Sequence, residues 1–295
     1  MSRAWTRRCR RGLVTGEAGP GRPAGASVGR EQLASDLRSL GLRRGRDLLI
    51  HCSLRRIGPV EGGAATLLAA LLDVAGPQAT LVVPAQTTLN SLTSRAFYAA
   101  VAGLDEDERA RFVAAMPGFD PARTPSHGMG AFAEYLRTRQ ASVRSRHPQV
   151  SFAALGPRAR ACTSVHDLGC HLGDRSPLGW LYARDAAVLL LGVEYTACTT
   201  FHLAEYRLPW MPPVQEYHCF TAQGSGRRER KFTAAALDDG DFARLGAALE
   251  AVSPAVLRQG GVGSGTGRVV PLRAAVDFGV SWLTTYRRRP GPGKP

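Results

Sequence analysis

The stretch from residue 47 to residue 84 constrains the fold most. Asp47-Leu-Leu-Ile-His-Cys has the composition of a short buried strand, and a turn rich in glycine and proline follows over Ser53 to Gly63. Leu67, Leu68, Leu71, Leu72 and Val74 then recur at helical spacing within Ala64 to Ala75, where Gly76-Pro77 stops the helix. Thr80-Leu-Val-Val-Pro reads as a second strand. Strand, helix and strand in succession make a βαβ unit, whose crossover helix leaves its two strands parallel. Ala186 to Val193 supplies another buried strand; it is the longest apolar strip, far short of the roughly 20 residues that span a bilayer. Polar residues 85–130, with a helical middle from Asp105 to Met116, make a long connection of the kind that carries function. Farther on, Tyr217 to Ala222 and a turn at 224–230 suggest a hairpin, Asp241 to Val252 a helix, Gly260 to Gly267 a loop, and Ala274 to Leu283 a closing helix. The expected fold is α/β: a single domain over 31–286 with a mixed, partly parallel central sheet flanked by helices.

Charge and cysteines narrow the function classes. The formal net charge is +14, but residues 1–30 hold seven arginines against Glu17, and Arg287, Arg288, Arg289 and Lys294 crowd the other end. Ten of the fourteen charges therefore sit on glycine- and proline-rich ends, read as a disordered basic tail over 1–30 and a second tail over 287–295. A nucleic-acid binder would place basic residues on folded elements among aromatics, so nucleic acid is not expected as the main partner. Lys231 and Lys294 are the only lysines, which excludes a P-loop. Six cysteines without a C-x-x-C pair suggest reduced thiols and a cytoplasmic setting.

The seven histidines are the natural place to look for proton chemistry. His51 ends the first strand, where open α/β sheets gather ligands. His166 lies in a polar stretch beside Asp167. His202 and Glu205 are three apart, which places them on one helix face, where a carboxylate fixes an imidazole tautomer; an ordinary helix ion pair gives the same spacing. Cys162, His166, Cys170 and His171 form a weak zinc-like pattern, because adjacent Cys170 and His171 rarely share an ion. Cys52 and Cys198 are alternative nucleophiles, although proximity to a histidine does not by itself make a thiolate. The loop from Ser53 to Gly63, with Gly58, Gly62 and Gly63, suits a pyrophosphate or a pantetheine amide.

Read in order, these segments resemble the aminoglycoside 3-N-acetyltransferase family. The resemblance runs through His51-x-Ser53-Leu54-x-x-Ile57-Gly58-x-Val60-x-Gly62-Gly63 and Phe119-Asp120-Pro121-x-x-Thr124-Pro125-Ser126, then Gly128-Met129-Gly130 and Arg144-Ser145-x-His147-Pro148. It continues in His166-x-Leu168, Gly173-x-x-Ser176-Pro177-Leu178, Leu189-Leu190-Leu191-Gly192-Val193 and Thr200-x-His202-x-Ala204-Glu205. Phe132-Ala133-Glu134 and Leu237-Asp238-Asp239 are similar to the branch found in antibiotic-producing actinomycetes.

The resemblance implies acetyl-CoA-dependent acetylation of the 3-amino group of a 2-deoxystreptamine ring, on a fold unlike that of GCN5-type acetyltransferases. Acetyl-CoA is the implied co-substrate and a polycationic aminoglycoside the implied acceptor. No metal and no membrane are implied, and a homodimer is compatible. For CoA the resemblance points to His51, Ser53, Leu54, Gly58, Val60, Gly62, Gly63 and Ser176. On the acceptor side it points to Asp120, Glu134 and Thr200. Because an alkylammonium is not nucleophilic, a base must take its proton. His166 is expected in that role, supported by Glu205 or Asp167, with His202 as partner of Glu205. Backbone N–H groups near Ser53 and the Thr200 hydroxyl are the expected oxyanion donors. Same-fold acetylation of a biosynthetic amine such as an aminophosphonate, and a zinc- or nucleic-acid-binding module, are the alternatives.

Overall fold

The computed structural model describes residues 27–252 and 257–287. Helix α1 (Arg30–Ser39) leads into β1 (Leu48–Cys52), α2 (Ala64–Ala75) and β2 (Leu81–Pro84), the βαβ unit read from the sequence. The long connection carries α3 (Arg95–Val101) and α4 (Glu106–Ala115), followed by α5 (Ala131–Arg137), β3 (Val143–Arg144) and β4 (Phe152–Leu155). Next come α6 (Ala159–Thr163), α7 (Pro177–Ala183), β5 (Ala187–Leu191) and α8 (Thr200–Tyr206). The chain ends in β6 (Val214–Gln223), β7 (Gly226–Ala235), α9 (Phe242–Val252), β8 (Arg258–Val262), β9 (Gly265–Pro271) and α10 (Leu272–Tyr286).

Seven strands form one mixed sheet in the order β3-β4-β2-β1-β5-β9-β8. Its centre is parallel, β1 pairing with β2 on one side and β5 on the other; β4 and β9 join antiparallel. All residues of β1, β2 and β5 are buried, because helices cover both faces. Side chains alternate between the two layers. Leu48, Ile50, Leu81, Val83, Leu189 and Leu191 meet α1, α2 and α5. Leu49, Val82, Val188 and Leu190 meet the layer that contains α8 and α10. By the same alternation His51 falls on the α8 face, where its Nε2 lies 3.4 Å from the Thr199 hydroxyl. Helix α10 approaches α8 closely: a Cβ on Gly279 would lie 2.9 Å from that of Ala204.

Two expectations change. Gly260 to Gly267 is not a loop: β8 and β9 pair across it, with the turn at Gly263-Ser264. The apolar Arg268-Val-Val-Pro run that follows reads as a strand from the sequence alone; pairing with β5 and β8 extends β9 back over Gly265 to Gly267, where local pattern gave no strand signal. The folded body also reaches past 31–286. Val28 is fully buried and bridges Val60, and Arg287 is tied into the interior by ion pairs. The disordered tails expected over the rest of 1–30 and 287–295 lie mostly outside the described residues. The acidic run Asp105 to Glu108 is a helix start, with Asp105 and Glu108 forming a capping box on an exposed helix. No described helix is long and apolar enough to cross a membrane.

Candidate functional site

Two cavities open at the carboxyl end of the parallel strands, the place where α/β sheets bind ligands. The first, about 390 Å³, is lined where β1, β2 and β5 run out, by His51, Ser53, Pro84 and Val193, and by Gly130 and Thr199 opposite. Gly130 has φ of +86°, and a Cβ there would come within 3.0 Å of the Cys52 carbonyl, so glycine keeps this wall thin. The second, about 310 Å³, is walled by five hydroxyl side chains between Thr87 and Ser94, with His171 and Tyr217 across from them. Gln86, Met129, His202 and Asp239 line both cavities. The two spaces therefore meet at an imidazole and a carboxylate.

His202 is built for proton transfer. It sits on α8, three residues before Glu205, and its Nδ1 lies 2.5 Å from Glu205 Oε2. The carboxylate holds the proton on Nδ1, so Nε2 carries the lone pair. Among the described residues Nε2 has no hydrogen-bond partner. Glu205 is 2% exposed, and its other oxygen accepts from the Asp238 N–H at 3.0 Å and from Arg287 at 2.5 Å. Three hydrogen bonds, two of them to charged or potentially charged groups, keep this buried carboxylate aimed at the imidazole.

His166 is placed differently from the expectation. Its Nε2 donates to the His171 carbonyl at 2.5 Å, and its Nδ1 accepts from the Ser145 hydroxyl at 2.8 Å. Its ring is tilted against that of His147 at 4.8 Å, and it belongs to the lining of neither cavity. With both nitrogens spent it has no lone pair for a substrate proton, and burial pushes its pKa down to about 4. Asp167 does not support it either: that carboxylate pairs with Arg175 at the surface. His171, by contrast, lines the second cavity while its Nδ1 meets the Tyr206 hydroxyl at 2.9 Å, and burial also lowers it to about 4.

The remaining expectations divide cleanly. His51 and Ser53 line the first cavity; burial lowers the His51 imidazole to about 4, so it is neutral there. Leu54 packs against the core. In the Gly58 to Gly63 loop the N–H groups of Glu61 and Gly63 are taken by the Val28 and Val60 carbonyls, while among the described residues those of Gly58, Val60 and Gly62 have no backbone acceptor. The Pro59 carbonyl accepts from the Val28 N–H, Val60 is bridged to Val28, and no residue of the loop belongs to the lining of either cavity. Ser176 caps α7, accepting from the Leu178 N–H, and is buried. On the acceptor side, Asp120 accepts from the N–H groups of its own turn, at Ala122 and Arg123. Glu134 is held down to about 2 by Arg137, against the cost of burial and with help from Ser126. Neither carboxylate belongs to the lining of the second cavity. Thr200 is fully buried, its hydroxyl unpartnered and outside the lining of either cavity, and of the N–H groups around Ser53 that of Ser53 itself is spent on the Leu191 carbonyl.

Cys52 and Cys198 do line the first cavity, but burial pushes their thiols up to about 12 and about 11, away from the thiolate a nucleophile needs. Cys162, His166, Cys170 and His171 assemble no metal site; among the described residues no group of three His, Cys, Asp or Glu is arranged to hold an ion. Three cavity residues escaped the sequence reading as site residues. Gln86 follows the second parallel strand, a position that flags itself once the sheet order is known. Asp239 stood in the Leu237-Asp238-Asp239 motif without a role. His171 was weighed only for zinc.

A mixed α/β domain with an imidazole–carboxylate pair at the junction of two cavities is the frame of a group-transfer enzyme that brings two substrates together. The family follows from comparison with known proteins. A profile described as aminoglycoside 3-N-acetyltransferase matches residues 49–284, and the chain belongs to that family. It is 34% identical over 281 residues to aminoglycoside N(3)-acetyltransferase VII of Streptomyces paromomycinus, covering 90% of this chain and 95% of that one. It is also 34% identical to the aminoglycoside N(3')-acetyltransferase-like protein YokD of Bacillus subtilis, over 86% of this chain and 92% of that protein. The crystal structure of YokD superposes with a TM-score of 0.82, covering 89% and 96% of the two chains at 32% identity. That of AAC-IIIb in binary complex with CoASH superposes at 0.76, with 28% identity over 90% of this chain and all of that one.

Proposed function

We propose that this protein transfers the acetyl group of acetyl-CoA to the 3-amino group of the 2-deoxystreptamine ring of an aminoglycoside, with His202 as the general base. The observation that carries this reading is the shared wall of the two cavities. The first cavity, beside the first strand-and-turn unit, receives the thioester end of acetyl-CoA; the second receives the amine. His202 lies where the two meet. The CoASH-bound relative and the naming of the Streptomyces relative support the two substrate classes.

The chemistry follows from the geometry. His202 Nε2 takes a proton from the acceptor ammonium, and the freed nitrogen lone pair attacks the thioester carbonyl carbon. As the tetrahedral intermediate collapses the C–S bond breaks, the nitrogen loses its second proton to solvent so that a neutral amide remains, and the sulfur leaves as thiolate to be protonated by the imidazolium. Glu205 stabilises that imidazolium. The Thr199 hydroxyl, on the wall of the first cavity three residues before His202, replaces Thr200 as the proposed donor to the oxyanion. Direct transfer is preferred over an acetyl-cysteine because both nearby thiols are held protonated.

The acceptor cavity is rich in hydroxyls and amides, which suit sugar hydroxyls, but it carries one acid, Asp239, whose side chain is 48% exposed and lies 3.9 Å from Arg95 in the same lining. A single carboxylate also fits an amine with one cation, so a biosynthetic amine is the second reading. Purified protein, acetyl-CoA and a panel of aminoglycosides and simpler amines, followed by thiol release and product mass, decides between them. The proposal expects turnover and a single acetylated N3 on a deoxystreptamine compound. Turnover confined to non-aminoglycoside amines overturns the substrate assignment, and thiol release with none of the amines overturns the reaction.

A further inference from the structure

Arg287, which the charge pattern placed at the start of a basic tail, is instead anchored beneath the proton-accepting pair. It follows the last turn of α10, and its guanidinium reaches Glu205 Oε1 at 2.5 Å, both oxygens of Asp241 at 2.7 and 2.5 Å, and the Asp238 carbonyl at 2.6 Å. The close packing of α10 on α8 at Gly279 and Ala204 brings the helix end to this place. The fork is therefore shared between the carboxylate of the pair and the segment 238–241, which also carries Asp239 to the cavity junction.

We propose that Arg287 is a positioning residue for the His202–Glu205 pair, fixing the Glu205 carboxylate toward His202 Nδ1 and setting, through its positive charge, how readily the imidazole accepts a proton. The proposal rests on the reading of His202 as base. A carboxylate bidentate or forked to arginine keeps its geometry, which a lysine point charge does not reproduce. Burial works against the Arg287 charge, but hydrogen bonds to Asp241 and Glu205 outweigh it, so the guanidinium stays ionised at all working pH. The other groups facing the pair are Asp239 and Asp241 from the 238–241 segment, Arg95 of α3 beside Asp239, His51 on β1, His171 from the loop before α7, and Tyr217 on β6; the apolar Phe242 ring packs 4.7 Å from His202. Among the described residues Arg287 is the permanent cation in contact with Glu205, whereas Arg95 is exposed and meets only Asp239. Removing it leaves the Glu205 charge unbalanced, so an imidazolium at 202 is held more strongly and forms at higher pH.

The test is the pH dependence of kcat/KM between pH 6 and 9.5 for Arg287→Ala, Arg287→Gln and Arg287→Lys, each also combined with Glu205→Gln. In Arg287→Ala and Arg287→Gln the acid limb is expected to move up by about 0.5 to 1 pH unit, with a fall at pH 6 of about 3- to 10-fold relative to the alkaline plateau. Arg287→Lys is expected to bring the limb back toward its original position while kcat stays lowered, and the Arg287 substitutions should no longer shift the limb once Glu205 is glutamine. A folded Arg287→Gln protein, checked by its thermal melt, whose acid limb stays within about 0.2 units of the parent overturns the proposal. So does a shift of the same size in the Glu205→Gln background. Failure of the underlying base assignment shows separately, as normal turnover in His202→Ala.

Discussion

Two groups of histidines lie close together here and do opposite things. Behind the second cavity, the tilted rings of His147 and His166 lie 4.8 Å apart, with both nitrogens of each hydrogen-bonded to protein, while neighbouring His171 lines that cavity with its Nδ1 held by Tyr206. On α8, His202 gives one nitrogen to Glu205 and keeps the other. The side chain is the same in both places; the difference lies in where the lone pairs are spent. An imidazole whose two nitrogens are both committed is structural, however polar its surroundings. One that is oriented on one side and open on the other can act as a base.

The sharpest way to break this contrast is His202→Ala. The account expects kcat/KM to fall by about 10² to 10⁴ with the fold intact, and added imidazole to restore part of it. Glu205→Gln should follow, with a loss of about 10- to 100-fold in kcat, by analogy with the loss of an outer-shell partner at other imidazole sites. Steady-state kinetics at saturating acceptor read both effects.

The buried group makes its own prediction, through stability. His51, His166 and His171 titrate at about 4 in the folded protein, and His147 lies well below its ordinary 6.5, all because burial disfavours the charged ring. Between pH 6.5 and 4 the unfolded chain binds these protons and the native state does not. Stability is therefore present above about pH 6.5 and is lost as the pH falls, each ring adding up to about 1.4 kcal/mol per pH unit. Urea midpoints should drop clearly from pH 7 to pH 5; equal midpoints would show that the rings are solvated. His166→Asn should cost about 1 to 3 kcal/mol of stability by leaving Ser145 or the His171 carbonyl unpaired. The smallest expected effect is Cys198→Ala, with kcat within about twofold of the parent and no acetylated cysteine by mass after acetyl-CoA alone.

Much of the architecture was legible because the central strands are buried on both faces and so appear as uninterrupted apolar runs; Leu48–Cys52 and Ala187–Leu191 needed no partner to be seen. Strand β8 was not, since its Gly260 and Gly261 carry no pattern and its pairing comes from β9. The His202–Glu205 spacing was visible, but helical spacing alone describes an ordinary ion pair equally well. What separates it from His166 is non-local: Ser145, twenty-one residues away, takes one nitrogen of His166, while Gln86 and Met129 open the space in front of His202. Arg287 was invisible for a similar reason. Its acceptors at 205 and 241 are brought to it by the packing of α10 on α8.

The most direct measurement is kcat for His166→Asn and His202→Ala side by side, with acetyl-CoA and a deoxystreptamine acceptor both saturating and the folded fraction known. The account predicts that the asparagine variant turns over at least about 100-fold faster than the alanine variant. A ratio near one, or an active His202→Ala beside a dead but folded His166→Asn, would contradict it.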